Sequence, residues 1–355
     1  MPFYPNLRNE ILEKSAYQDK QAKLNHIAQK LLDLKKALQV IPAKSRKDKL
    51  LLATFNIREF DSNDKKYGPR TTESFYYLAE IISSFDIVAL QEINEDLSGL
   101  RRLMKIIGYD YNYFITDITE GRAGNKERMA YIYDQKKIRF NNLAGEIVLP
   151  SSIKSPSTQF SRTPYLVGFQ AGWFKFNLCT VHIYFGANSG EAFERRVKEI
   201  EDISLFFEKR SKREAENFIL LGDFNIPKHT SKAMEALLKG GFQIPESLQK
   251  LPGSNLKQDK FYDQIAFLEG KNKIKFSGNA GVFDFYKTIY KREEKELYFE
   301  DFKILMEKNG KPCTEEIFEK EFDTWRTFQM SDHLPLWVEL DIDYSEEYLL
   351  DMLIK

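Results

Sequence analysis

Thiols and imidazoles are scarce in this chain. Two cysteines in 355 residues, Cys179 and Cys313, supply neither a disulfide framework nor a thiolate metal cluster. Only four histidines occur, so no histidine cluster marks a zinc site. Neither sign of charge is in excess. Lys and Arg number 53, as do Asp and Glu, and the formal net charge is zero. A sequence-blind basic surface therefore has no support, and an anionic substrate must be met locally. No apolar run is long enough to span a bilayer. The first twenty residues, MPFYPNLRNEILEKSAYQDK, are charged throughout and lack the apolar core of a signal peptide. A reduced, cytoplasmic setting is the expectation. Repeats and low-complexity segments are absent as well.

What is present is ample apolar material, 42% of residues, enough for one large domain with appendages. Residues 7–40 read as helix, with Leu24, Ile27, Leu31, Leu34 and Leu38 spaced by threes and fours. The strict spacing lasts only about two heptads, which favours an arm packed on its own domain over a coiled coil that would make a homodimer. Pro42 ends the arm, and residues 1–45 are taken as arm plus linker. From there to about 343, strand-like runs alternate with helix-like ones, the pattern of an α/β domain. Strands are expected at 50–57, 86–93, 109–118, 127–134, 145–149, 218–221, 262–268 and 334–342, with a hairpin over 165–185 pivoting near Gly172. The stretch from Asp61 to Arg70 reads as a polar loop. Helices are expected near 75–85, 97–107, 190–210 and 231–239. A charged helical insertion occupies about 291–323, and residues 344–355 form a terminal helix.

The chemistry-bearing residues sit at strand ends. In NFILLGDFN (217–225) an apolar run ends in Gly222, Asp223, Phe224 and Asn225, so a turn presents a carboxylate beside an amide. Leu50–Phe55 likewise delivers Asn56, Ile87–Leu90 delivers Gln91 and Glu92, and Val181 precedes His182. Ser331, Asp332 and His333 open the last run. An Asp after Gly is ordinary turn chemistry, and an Asn at a strand end is an ordinary cap. Jointly these residues offer hard oxygen ligands and no sulfur, which suits Mg²⁺, with Mn²⁺ or Ca²⁺ as substitutes, rather than zinc. Two of the four histidines lie among them. A hard divalent ion with positioned imidazoles points to phosphoryl chemistry.

The ordered motifs FNIREF (55–60), DIVALQEI (86–93), KERMAYIY (126–133), FSRTP (160–164), GDFN (222–225), FDFYKTIY (283–290) and SDHLP (331–335) resemble the endonuclease/exonuclease/phosphatase superfamily. Within it they are most similar to the pancreatic deoxyribonuclease branch. The resemblance covers about Leu50 to Ile342, leaving out the arm and the 291–323 insertion. It implies a four-layer α/β (α+β) sandwich of two mainly antiparallel β-sheets flanked by helices. It implies that Glu92, Asn56 and Asp332 serve the metal, and that Asp223 and Asn225 meet water, phosphate or a second ion. It also implies two acid–imidazole pairs, His182 with Glu127 and His333 with Asp263, one taking a proton from water and the other giving one to the leaving oxygen. Arg58 and Arg162 are candidates for gripping phosphate, and a surface ion pair is the other reading for each. Where that branch places an arginine and a tyrosine in the DNA minor groove, this chain has Asn94 and Asn125, which bring neither charge nor ring. The expected activity is a divalent-metal-dependent endonuclease acting on DNA. The alternatives are a phosphatase of inositol phosphates, phospholipid headgroups or nucleotides, and an inactive binding module.

Overall fold

The computed structural model describes residues 2–60, 67–119, 125–150, 159–270 and 273–353. Of the polar loop expected over 61–70, residues 61–66 lie outside the described residues. The strands are β1 (Lys49–Phe60), β2 (Ile87–Ile93), β3 (Tyr111–Ile115), β4 (Arg128–Asp134), β5 (Ile138–Glu146) and β6 (Tyr165–Ala171). They continue with β7 (Phe174–His182), β8 (Phe218–Asp223), β9 (Asp263–Leu268), β10 (Lys275–Val282) and β11 (Leu336–Asp341). The helices are α1 (Pro5–Leu12), α2 (Lys20–Ala37), α3 (Thr72–Ser83), α4 (Ser98–Ile107) and α5 (Gly190–Glu214). After them come α6 (Lys232–Lys239), α7 (Glu246–Gln249), α8 (Phe299–Lys308), α9 (Glu315–Gln329) and α10 (Ser345–Leu353).

Two mixed sheets result. One has the order β10-β11-β1-β2-β4-β3 and the other β5-β6-β7-β8-β9. Each contains a parallel pair, β1 with β2 and β7 with β8, and is otherwise antiparallel. Period-two alternation explains the layering. Leu50 and Leu52 of β1 join the core shared with the second sheet, while Leu51, Ala53, Phe55 and Ile57 join the core under the helices. Both faces are buried, so β1 reads as a continuous apolar run. Helices α1 to α4, α8 and α9 cover the first sheet, and α5 and α6 cover the second. That is a helix–sheet–sheet–helix sandwich.

The structure differs from the sequence reading in three places. The arm is two helices rather than one spanning 7–40, because Asp19 leaves helical geometry and accepts from Ala22 N at 2.8 Å, capping α2. Its Leu7, Ile11, Ile27, Leu31, Leu34 and Leu38 are buried in the core under the first sheet. Of the strand expected at 145–149 only 145–146 are strand, as the end of β5, and the sequence gives no expectation of β10. Both are edge strands whose residues are mostly exposed or half-buried, so they carry no apolar period to read. Within 291–323, a 3₁₀ turn at Arg292–Tyr298 leads to α8, and α9 runs on to Gln329. Phe302, Phe318, Phe322 and Trp325 from these helices are fully packed into that same core.

Candidate active site

Strand register lines up one half of the site. His182 of β7 is the partner of Asp223 in β8, and Asp223 is the partner of Asp263 in β9. Gly222 permits this close approach: with φ at 134°, a Cβ there would lie 2.1 Å from the Val181 carbonyl oxygen. Beyond it, Asn225 takes a left-handed φ of 53° that its short polar side chain tolerates. Its backbone N–H donates to Asp223 Oδ1 at 2.9 Å. The first sheet supplies the other half through bulges. The β1–β2 register shifts between Asn56 and Phe60 and the β2–β4 register between Leu90 and Ile93. Arg58, Glu59 and Glu92 have positive φ there, which turns Glu92 towards the cleft, its Oε2 accepting from Glu59 N at 3.0 Å.

These residues share one cavity of about 490 Å³, lined by Glu92, Glu127, His182, Asp223, Asn225 and His333 among others. His182 Nδ1 lies 3.0 Å from Glu127 Oε2, within reach though not aligned as a hydrogen bond. Its Nε2 lies 3.6 Å from Asp223 Oδ2 and 3.8 Å from Glu92 Oε1. His333 Nδ1 meets Asp263 Oδ2 at 2.7 Å, and its Nε2 lies 3.7 Å from the same Asp223 Oδ2. Both rings thus turn one nitrogen to a private carboxylate and the other to a shared oxygen. Ser254 Oγ, donating to Asp263 Oδ2 at 2.6 Å, orients that carboxylate.

Burial raises the Glu92 carboxyl, with Glu127 and Asp332 adding to the rise and His182 and Asn56 opposing it. Burial pushes Glu127 up too, but His182 and Arg162 outweigh it and hold the group below its ordinary value. Burial works against a charged His333, yet Asp263, Asp223 and Asp332 hold it well above the usual imidazole range. Among the described residues, five carboxylates line the cavity (Glu59, Glu92, Glu127, Asp223 and Asp332) against two guanidiniums, Arg58 and Arg162. Ligand atoms of Glu92, His182 and Asp223 all lie within 4.8 Å of one another, and so do those of Asp223, Asp263 and His333. This surplus of converging negative oxygens fits a hard divalent cation.

Four of the expected residues are placed differently from the others. Asn56 turns its amide nitrogen, not its oxygen, to the carboxylates, donating to Glu92 Oε1 at 2.8 Å and Asp223 Oδ2 at 3.0 Å, because its oxygen accepts from Arg58 N. Asp332 stands at the half-exposed rim, 3.5 Å from Arg58. Arg58 also bonds Thr327 Oγ1 and lies 4.0 Å over the Phe328 ring. Arg162 is buried and forks onto Glu127 at 2.6 and 3.2 Å, so its first partner is the carboxylate of an imidazole pair. Asn125 lines the cavity and donates to Glu127 Oε1 at 3.0 Å. Asn94 is not among the lining residues. Sequence reading missed Ser254, Tyr184 and Phe185. Gln91, which the sequence places beside Glu92 at the end of a buried run, donates to Thr54 at 3.1 Å and Thr180 at 2.9 Å and so ties the two sheets together beneath the site. The three missed residues carry no such signal, since each lies outside the strands.

A two-sheet sandwich whose cleft combines acid-paired imidazoles with oxygen ligands defines a hydrolase of phosphate esters. The chain belongs to the Endonuclease/Exonuclease/phosphatase family, whose model matches residues 53–241. It is 26% identical over 270 residues to a deoxyribonuclease gamma of Rattus norvegicus, covering 71% of this chain and 82% of that one. The deoxyribonuclease gamma of Homo sapiens is 24% identical over 266 residues, with 70% and 82% covered. Among solved structures, an endonuclease/exonuclease/phosphatase family protein from Bacteroides thetaiotaomicron superposes with a TM-score of 0.52 at 18% identity, over 83% of this chain and 98% of that one. The human Nocturnin catalytic domain with bound sulfate gives 0.52 at 14% identity, over 82% and 94%. The last two are likenesses of fold. Among the described residues no helix is long and apolar enough to cross a membrane.

Proposed function

We propose that the chain is a divalent-metal-dependent phosphodiesterase whose substrate is DNA. The observation that carries this is the pair of imidazoles presenting Nε2 to one oxygen of Asp223. Two proton-transfer groups facing a common point suit a displacement at phosphorus, where an attacking water must lose a proton and a leaving oxygen must gain one. Asp263, bonded to Nδ1, fixes which nitrogen of His333 faces the cavity, and Glu127 lies beside the corresponding nitrogen of His182. Glu92 and Asp223 would hold Mg²⁺, with His182 nearby, and the ion would supply charge neutralisation at the phosphate. Asn56 spaces those two carboxylates, Asn225 shapes the loop behind Asp223, and Arg58 with Asp332 forms a charged rim. Support for DNA comes from the two relatives called deoxyribonuclease gamma, matched over 71% and 70% of this chain. Asn125, uncharged and ringless at the cavity, favours a second reading in which the substrate is a small phosphate ester.

Labelled plasmid, a single-stranded oligonucleotide, RNA and small phosphate esters, each assayed with Mg²⁺, Mn²⁺, Ca²⁺ or EDTA, separate these readings. Nicked plasmid with metal and none with EDTA is expected, and His182→Ala or His333→Ala should lower kcat by roughly 10² or more. Plasmid and a single-stranded oligonucleotide both left intact under every metal condition refute the nuclease, and phosphate released only from small esters selects the second reading.

A further inference from the structure

Phe185 lies three residues beyond His182, is 65% exposed and lines the same cavity as both imidazoles. A lone exposed phenylalanine is unremarkable on a protein surface. This one is carried by a segment without regular structure that is nonetheless fastened on both sides. Arg196 of α5, 1% exposed, sends Nε to Tyr184 O at 3.1 Å and Nη2 to Gly186 O at 2.6 Å. Its Nη1 reaches Asn188 Oδ1 at 2.8 Å and Asn225 O at 3.0 Å, which ties the segment to the loop behind Asp223. Glu199 Oε2 accepts from Tyr184 N at 3.1 Å, and the Arg195 guanidinium lies 4.1 Å over the Tyr184 ring. The backbone before and after Phe185 is therefore held while its ring is left outside. A buried guanidinium is a costly device for holding a loop unless the position of that loop matters.

The charge balance says what the ring is for. Proteins ordinarily grip nucleic acid through many lysine and arginine contacts to phosphate. Here the chain is neutral overall, and among the described residues its cavity has five carboxylates to two guanidiniums. Beyond the one phosphate that a bound cation would neutralise, affinity for a strand needs another source, and stacking on an aromatic face supplies it without regard to base identity. We propose that Phe185 is a stacking platform for an unpaired nucleobase of the substrate, with Arg196 as the residue that positions it. The assignment rests on the nucleic-acid hydrolase reading above. It makes the preferred substrate single-stranded or locally unpaired, since a base inside a duplex already has both faces covered.

Fluorescence anisotropy of a labelled oligothymidylate, with the full chain and with EDTA present to stop cleavage, tests this directly. Phe185→Ala should weaken binding about tenfold or more, Phe185→Trp should retain it, and an all-abasic oligomer should bind wild type and Phe185→Ala alike. Equal affinity of wild type and Phe185→Ala for oligothymidylate overturns the proposal. An equal loss on the abasic oligomer does so too, as does the absence of wild-type binding. The hydrolase reading fails separately, if wild type with Mg²⁺ leaves the oligothymidylate uncut while the stacking difference persists.

Discussion

Replacing Lys23 by Met should cost roughly 3–5 kcal/mol, the usual penalty for stripping a buried carboxylate of its cation. The Lys23 ammonium, on α2, lies 3.0 Å from Glu73 Oε1 on α3 and 2.5 Å from Asp301 Oδ2 on α8. Tyr17 donates to Asp301 at 2.6 Å, Tyr290 donates to Glu73 at 3.4 Å, and His26 Nε2 is 3.9 Å from Glu73. Without Lys23 these two carboxylates face one another in a dry junction between the arm, α3 and the 291–323 region. With an unfolding entropy of about 2.1 cal/mol/K per residue, a chain of 355 residues unfolding as one unit loses about 4–7 °C in Tm. The deficit should also depend on pH. Burial, with Glu73 adding and Lys23 opposing, raises Asp301 from 3.8 to about 6. A raised carboxyl stabilises the fold below its unfolded value, and that contribution is lost as pH climbs through the folded one. His26, lowered from 6.5 to about 4 by burial and by Lys23, has the opposite sign, with a contribution present above 6.5 and lost as pH falls towards 4. Removing Lys23 lets both groups take up protons more readily, so the variant should recover on acidification. Thermal unfolding of wild type and Lys23→Met at pH 5 and pH 7.5 reads this out. A Tm drop under about 1 °C at pH 7.5, or the same drop at both pH values, refutes the reasoning.

Two further outcomes probe the cleft. Gly222→Ala places a Cβ 2.1 Å from the Val181 carbonyl at a φ of 134°, so it should cost roughly 3 kcal/mol or more, seen as a fall in denaturant midpoint. Asp263→Asn removes the partner that meets His333 Nδ1 at 2.7 Å and should lower kcat by roughly 10² with the circular dichroism spectrum unchanged. A variant that keeps wild-type turnover would remove Asp263 from the machinery.

Much of the fold can be read from local pattern. Phe75, Leu78, Ile81, Ile82 and Phe85 repeat at helical spacing or close a helix, and the structure buries all of them. Gly172 turns the β6–β7 hairpin as its position suggests. Strands β5 and β10 escape such reading because an exposed edge strand needs no apolar face. The break at Asp19 escapes because a capping carboxylate looks like any other charge in a solvated helix. Within the site, the strand-end positions of Asn56, Glu92, His182, Asp223 and His333 are visible in the chain. The orientation of Asn56 and the partner of Arg162 are not.

By itself the sequence determined which side chains could do chemistry. It has oxygen ligands and two imidazoles at the ends of buried strands, too little sulfur for a soft-metal site, and no excess of positive charge. These are properties of composition and short-range period, and they survive without coordinates. Only tertiary structure decided who meets whom. Glu127 sits with His182 and Arg162 across 35 and more positions of chain, Asp223 lies between two imidazoles, and Lys23 holds an acid 278 residues away. The physical reason is that an ionic partner is chosen by distance in space and by burial, whereas hydrophobic period records only which face of an element turns inward.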